Sequence, residues 1–80
     1  MWLIPCTVEK GMFESERSVT FDAGEKRYHL IVDRSSIVDD MLVVEVLSRA
    51  GDSSYIVRLP RETFTSGRTI RVPREVVQRR

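Results

Sequence analysis

Residues 41–60 of the chain read MLVVEVLSRAGDSSYIVRLP, and a β-hairpin can be traced through them. Leu42, Val44 and Val46 share one parity, while Met41, Val43 and Leu47 share the other. Side chains alternate between the two faces of a strand, so a segment apolar on both parities is one covered on both sides. Ala50-Gly51-Asp52-Ser53 then supplies turn chemistry, and Tyr55, Val57 and Leu59 resume the alternation.

The same period of two runs toward both termini. Tyr28, Leu30 and Val32 alternate after the turn Asp22-Ala23-Gly24-Glu25, and Val19, Phe21 and Ala23 mark the strand paired with them. Trp2, Ile4, Cys6 and Val8 also alternate, which predicts one strand across residues 2–8. Pro5 has no N–H for a ladder and places that strand at an edge or a bulge. Residues 33–40 mix turn formers with Ile37 and Val38 and read as a loop with a short helical turn. Ile70 and Val72 form a last short strand after Gly67, and Pro73-Arg74-Glu75-Val76-Val77 reads as a short closing helix with proline in its first position.

Short strands, frequent turns and no long segment of helical period predict an all-β fold: a small antiparallel barrel, SH3-like, of five to six strands with a short C-terminal helical turn. Closure suits a chain this short, because it removes edges that nothing else can cover. The inward set is Trp2, Ile4, Val8, Val19, Phe21, Tyr28, Leu30, Val32, Leu42, Val44, Val46, Tyr55, Val57, Leu59, Ile70 and Val72. With 80 residues there is room for one core, and residues 1–80 are expected to form a single small β domain.

Composition narrows the function classes. The chain is 41% hydrophobic and 31% charged, too apolar and too evenly charged for a disordered tail. Cys6 is the only cysteine, so no internal disulfide forms and no cysteine-built zinc site is expected. The N-terminus has no basic region ahead of an apolar run, and no run approaches the length that spans a bilayer. The expectation is a cytoplasmic protein that does not engage a membrane. Charge is uneven: residues 1–40 carry five bases and eight acids, and residues 41–80 carry eight arginines and four acids. The second half is the better match for an anion.

Nucleophile elbows, phosphate loops and dinucleotide fingerprints are absent, so no catalytic residue is nominated, no cofactor is expected and the chain is read as a non-enzyme. A core this small also leaves little room for a pocket that would bury a small-molecule substrate. His29 lies on the parity opposite Tyr28 and Leu30 and faces solvent, and Cys6 belongs to an apolar face that keeps its thiol protonated. Asp33, Asp39 and Asp40 lack the alternation and turn glycine of a calcium loop and read as solvated turn carboxylates, so no metal ligands are assigned.

Two stretches repeat each other. Val57-Arg58-Leu59-Pro60-Arg61-Glu62 and Ile70-Arg71-Val72-Pro73-Arg74-Glu75 match at Arg, Pro, Arg and Glu. In each, a strand is expected to end at a proline that begins a helical turn, so the plain account is one stop signal used twice. The sharper account is a surface displaying Arg58, Arg61, Arg68, Arg71 and Arg74, with Arg79 and Arg80 nearby, and with Tyr55 or Phe64 available for stacking. The stretch Gly67-Arg68-Thr69-Ile70-Arg71-Val72-Pro73-Arg74-Glu75-Val76-Val77 resembles part of the swapped-hairpin DNA-binding domains of the AbrB and MazE type. It departs from them in ending at Arg80 without that family's further glycine-aspartate turn and strand, so their DNA-binding role is not carried over.

Apolar residues remain on the parity that alternation assigns to solvent: Leu3, Ile31, Met41, Val43, Leu47 and Ile56, with Met12 and Phe13 in a loop. They form either a second core layer or an interface. The expected function is therefore a non-enzymatic protein-interaction or assembly module, with another protein or a second copy (a homodimer) on an apolar interface of Met41, Val43, Leu47 and Ile56. The alternative is a small-barrel nucleic-acid-binding protein that uses the C-terminal arginines.

Overall fold

A computed structural model describes residues 1–80. Nine strands make one antiparallel sheet: β1 (Trp2–Pro5), β2 (Thr7–Lys10), β3 (Glu16–Ala23), β4 (Lys26–Asp33), β5 (Ile37–Val38), β6 (Met41–Ala50), β7 (Ser54–Thr63), β8 (Gly67–Pro73) and β9 (Gln78–Arg79). The strand order is β2-β3-β4-β7-β6-β1-β9, with β5 added beside β6 and β8 beside β7. The sheet curls into an antiparallel half-barrel, in the all-β class that the alternation predicts. Its helical content is two 3-10 turns, Arg34–Ser36 and Arg74–Val76, and no helix is long and apolar enough to cross a membrane.

The five to six expected strands become nine for two reasons. The continuous strand expected over residues 2–8 breaks at Cys6, so that β1 pairs with β6 and β2 pairs with β3. Pro5 sits at that break, where a missing N–H costs least. In addition, β5 and β9 span two residues each, too short for alternation to register. The hairpins expected at Gly24 and Gly51 are present, and both glycines take the positive φ that their turns require, 67° and 71°.

The proline-arginine-glutamate repeat folds in two different ways. β7 continues past Pro60 to Thr63 and no helical turn begins there; the β7–β8 register shifts between Arg58 and Thr63 and absorbs the residue that cannot donate. At the second copy Pro73 ends β8 and caps a 3-10 turn, Arg74–Val76, so proline precedes the helical turn instead of starting it. The chain then adds β9 antiparallel to β1, which delivers Val77 to the core.

Most of the expected inward set is buried together, with Ile4, Val19, Leu30, Val57, Leu59 and Val72 at its centre. Trp2, Val8, Val46 and Tyr55 are half-buried at the margin. Leu3 corrects the alternation: its parity points to solvent, yet it is 0% exposed. It lies between Val43 of β6 and Gln78 of β9, and cross-strand neighbours on both sides crowd its face.

Candidate functional site

The arginines expected to stand side by side are divided by the sheet. Arg58 and Arg71 face outward, as their parity predicts, in the rows Glu45–Arg58–Thr69 and Ser48–Ile56–Arg71. Arg58 is engaged there by Glu45 at 3.7 Å. Arg61 and Arg68 lie toward the far end of β7, and Arg74 lies at the opposite end beside the β6–β7 turn. Three of the five clamp the backbone: Arg68 Nε donates to the Leu59 carbonyl at 2.7 Å, Arg71 Nη2 to Ala50 at 3.4 Å and Arg74 Nη1 to Asp52 at 3.2 Å. These bonds satisfy carbonyls at a bulge and a turn, which gives the arginines a local structural task.

The expected apolar interface is also divided. Met41 and Val43 are half-buried on the outer face of β6, in register with Pro5 and Leu3 of β1. Ile56 is half-buried on β7, and Leu47 is exposed at the β6 bulge that falls between Val46 and Ser48. The Glu45–Arg58 pair lies between the two groups, so the four residues do not form one continuous patch.

One cleft follows directly from the topology. β4 pairs with β3 over its whole length but with β7 only at Leu30–Thr63, and β8 pairs with β7 alone. Between them runs a cleft of about 520 Å³, lined on the β4 side by Lys26 and Tyr28 and on the β8 side by Thr69, Ile70, Arg71 and Pro73. The β3–β4 turn approaches the end of β8 at Pro73: a Cβ added at Gly24 would meet the proline ring at 3.5 Å. Glu25 is the one carboxylate in its lining.

A second cleft of about 560 Å³ lies beside the β1–β2 break and is lined by Cys6, Glu9, Thr20, Asp22 and Arg27 among others. Burial pushes the Cys6 thiol above its ordinary range, and its Sγ donates to the Asp40 carbonyl at 3.4 Å, so the thiol is held protonated. Asp22 accepts from Arg27 Nε at 2.8 Å, and that bond holds its carboxyl below the usual carboxylate range. Two of the three aspartates read as turn carboxylates have partners for their side chains. Asp33 accepts from the Ser35 backbone N–H at 2.8 Å, a bond that lowers its pKa, and Asp39 pairs with Arg80 at 2.6 Å.

Two aromatic clusters were not legible beforehand. Trp2 and Tyr55 meet edge to face at 5.6 Å, with Arg79 over the indole at 5.3 Å and Arg74 over the phenol at 5.9 Å. His29 is exposed, as its parity predicts, and its ring lies 4.5 Å from that of Phe64. Ser18 Oγ and His29 Nε2 share a hydrogen bond at 2.7 Å. Both clusters join residues far apart in sequence, and in the second only the exposed phenylalanine gave a signal. Comparison of the chain with protein-family models, with curated proteins and with solved structures finds no match in any of the three.

Proposed function

We propose that this protein is a non-enzymatic interaction module that holds an extended, acidic segment of a partner protein along β8, in the cleft between β8 and β4. The observation that carries this reading is the open seam of the half-barrel, where β8 is paired on one edge only and lines the cleft from Thr69 to Pro73. An unpaired edge offers backbone donors and acceptors to an incoming strand, which is the basis of recognition by strand addition. Lys26 and Arg71 in the lining, against the single carboxylate of Glu25, complement an acidic segment. Tyr28 and Ile70 are buried beneath the cleft and form its apolar floor, so an incoming segment is held there through its backbone and its charges.

The non-enzymatic part of the reading rests on two features. The Cys6 thiol is kept protonated, and the Ser18–His29 pair sits on an open strand face where neither residue lines a cleft described above.

The test begins with selection of binders from a random displayed peptide library, followed by titration of a selected peptide into isotope-labelled protein. The expected result is enrichment of acidic, extended peptides that shift the backbone amides of Gly67–Pro73 and of Lys26 and Tyr28. Lys26→Glu with Arg71→Glu should abolish those shifts while leaving the fold intact. Shifts confined to another face, or no enrichment, overturn the reading. A concentration-dependent dimer in sedimentation that the same two reversals disrupt assigns the seam to a second copy and overturns the heterologous partner.

A further inference from the structure

At the β7–β8 turn lies an exposed aromatic surface that the strand-addition reading does not use. Phe64 is 63% exposed, an unusual cost for a large apolar side chain on a turn, yet the turn carrying it is tightly built. Its backbone N–H donates to the His29 carbonyl at 2.9 Å. Behind it, the buried Thr63 hydroxyl accepts from the Ser66 N–H at 2.8 Å and donates to the Gly67 carbonyl at 2.9 Å. The ring rests against His29, which Ser18 holds in turn. The exposed face is therefore pre-set by three elements, β3, β4 and the β7–β8 turn, so little order is lost when a flat ligand lands on it.

The surroundings specify what kind of ligand fits. Phe64 borders a shallow cavity of about 390 Å³ whose other lining residues are Ile31, Arg61, Glu62 and Arg68. Two guanidinium groups thus flank the aromatic edge, with Glu62 the only acid in the lining. Arg68 spends its Nε on the Leu59 carbonyl, which fixes the side chain while its terminal nitrogens remain free for an anion. Arg61 makes no hydrogen bond and no ion pair, although its charge reaches Asp33 and adds to the Ser35 hydrogen bond in keeping that carboxyl low. A stacking ring with phosphate-directed arginines beside it is the recurring arrangement for unpaired bases, because every base offers a π-face and every linkage an anion. An acidic peptide would satisfy the arginines but leave the ring without a partner.

We infer that the Phe64–His29 platform, with Arg61 and Arg68, binds single-stranded nucleic acid by stacking one unpaired base on Phe64 and holding the two phosphates that flank it, one on each arginine. The experiment is fluorescence anisotropy of the full chain with a labelled oligothymidine of about 15 nucleotides at low salt. Saturable binding is expected, weakening with salt along a logarithmic slope of about −1.4 for two phosphates on a single strand. Phe64→Ala should weaken binding roughly 5- to 100-fold with an unchanged thermal midpoint, and Phe64→Trp should retain it. Arg61→Glu should flatten the salt slope by about half. Absence of binding at low salt overturns the inference, as does binding indifferent to Phe64→Ala. Equal competition by polyglutamate and oligothymidine also overturns it, since a bare polyanion cannot stack. Lys26→Glu with Arg71→Glu should leave oligothymidine binding in place, so failure of the seam and failure of this platform are separable.

Discussion

Asp39 and Asp40 occupy consecutive left-handed positions, φ 50° and 60°, in the two-residue turn that joins β5 to β6. Two positive φ values are what a type I′ hairpin demands, and glycine meets that demand at the second position without a Cβ penalty. Asp40→Gly should therefore stabilise the protein by about 0.5 to 1 kcal/mol, raising the thermal midpoint by several degrees. Asp39 is the poorer choice, because its carboxylate holds Arg80. Acid titration reads two other residues. The carboxyls of Asp22 and Asp33 are lowered by hydrogen bonds from Arg27 and from Ser35. A group whose folded pKa is depressed lends stability above its unfolded value, near 3.9, and that stability is lost as pH falls through the folded pKa. The thermal midpoint should accordingly drop below about pH 4, and Asp22→Asn with Asp33→Asn should flatten that drop. Cys6 behaves in the opposite sense: with its pKa raised by burial, its thiol should react with iodoacetamide more slowly in the folded than in the unfolded chain at mildly alkaline pH.

Among the elements, β1 is the one whose environment alternation misjudged. Trp2 and Ile4 pack on the core side as their period requires, while Leu3 on the other face is equally shielded because β6 and β9 flank it. Leu3→Ala should cost about 2 to 5 kcal/mol, whereas Leu47→Ala, at the exposed bulge of β6, should stay within about 0.5 kcal/mol. Equal effects in urea denaturation would remove the distinction between the two faces. At the β7–β8 turn, Thr63→Val keeps the shape but leaves the Ser66 N–H and the Gly67 carbonyl without their partner. A loss of about 1 to 3 kcal/mol is expected there, measured the same way.

The molecule as a whole is held by pairings between distant segments. β1 pairs with β6 and with β9, and the Arg80 N–H donates to the Met1 carbonyl at 2.8 Å. Such a topology must close long loops before it gains contacts, so refolding should take roughly milliseconds to seconds in a stopped-flow trace. Trp2, half-buried against Tyr55 where β1 meets the core, is a natural probe. Its fluorescence transition should coincide with loss of the β signal in circular dichroism, since core strands and terminal strands share one sheet.

Alternation of side chains is a property of each extended segment, so the all-β class, the hairpins at Gly24 and Gly51 and the buried faces of Leu30, Val57 and Val72 were determined by local order along the chain. The outward setting of His29, Arg58 and Arg71 follows from the same parity. What lies beside a segment is another matter, because neighbours are chosen by pairing across the whole chain. Only the folded sheet decided that Pro60 stays within a strand while Pro73 leads into a turn, that Leu3 is enclosed and that Glu45 divides the apolar surface by reaching Arg58. The open seam at β8 and the meeting of Phe64 with His29 belong to the same kind of fact: each joins residues whose separation in sequence carries no trace of their contact in space.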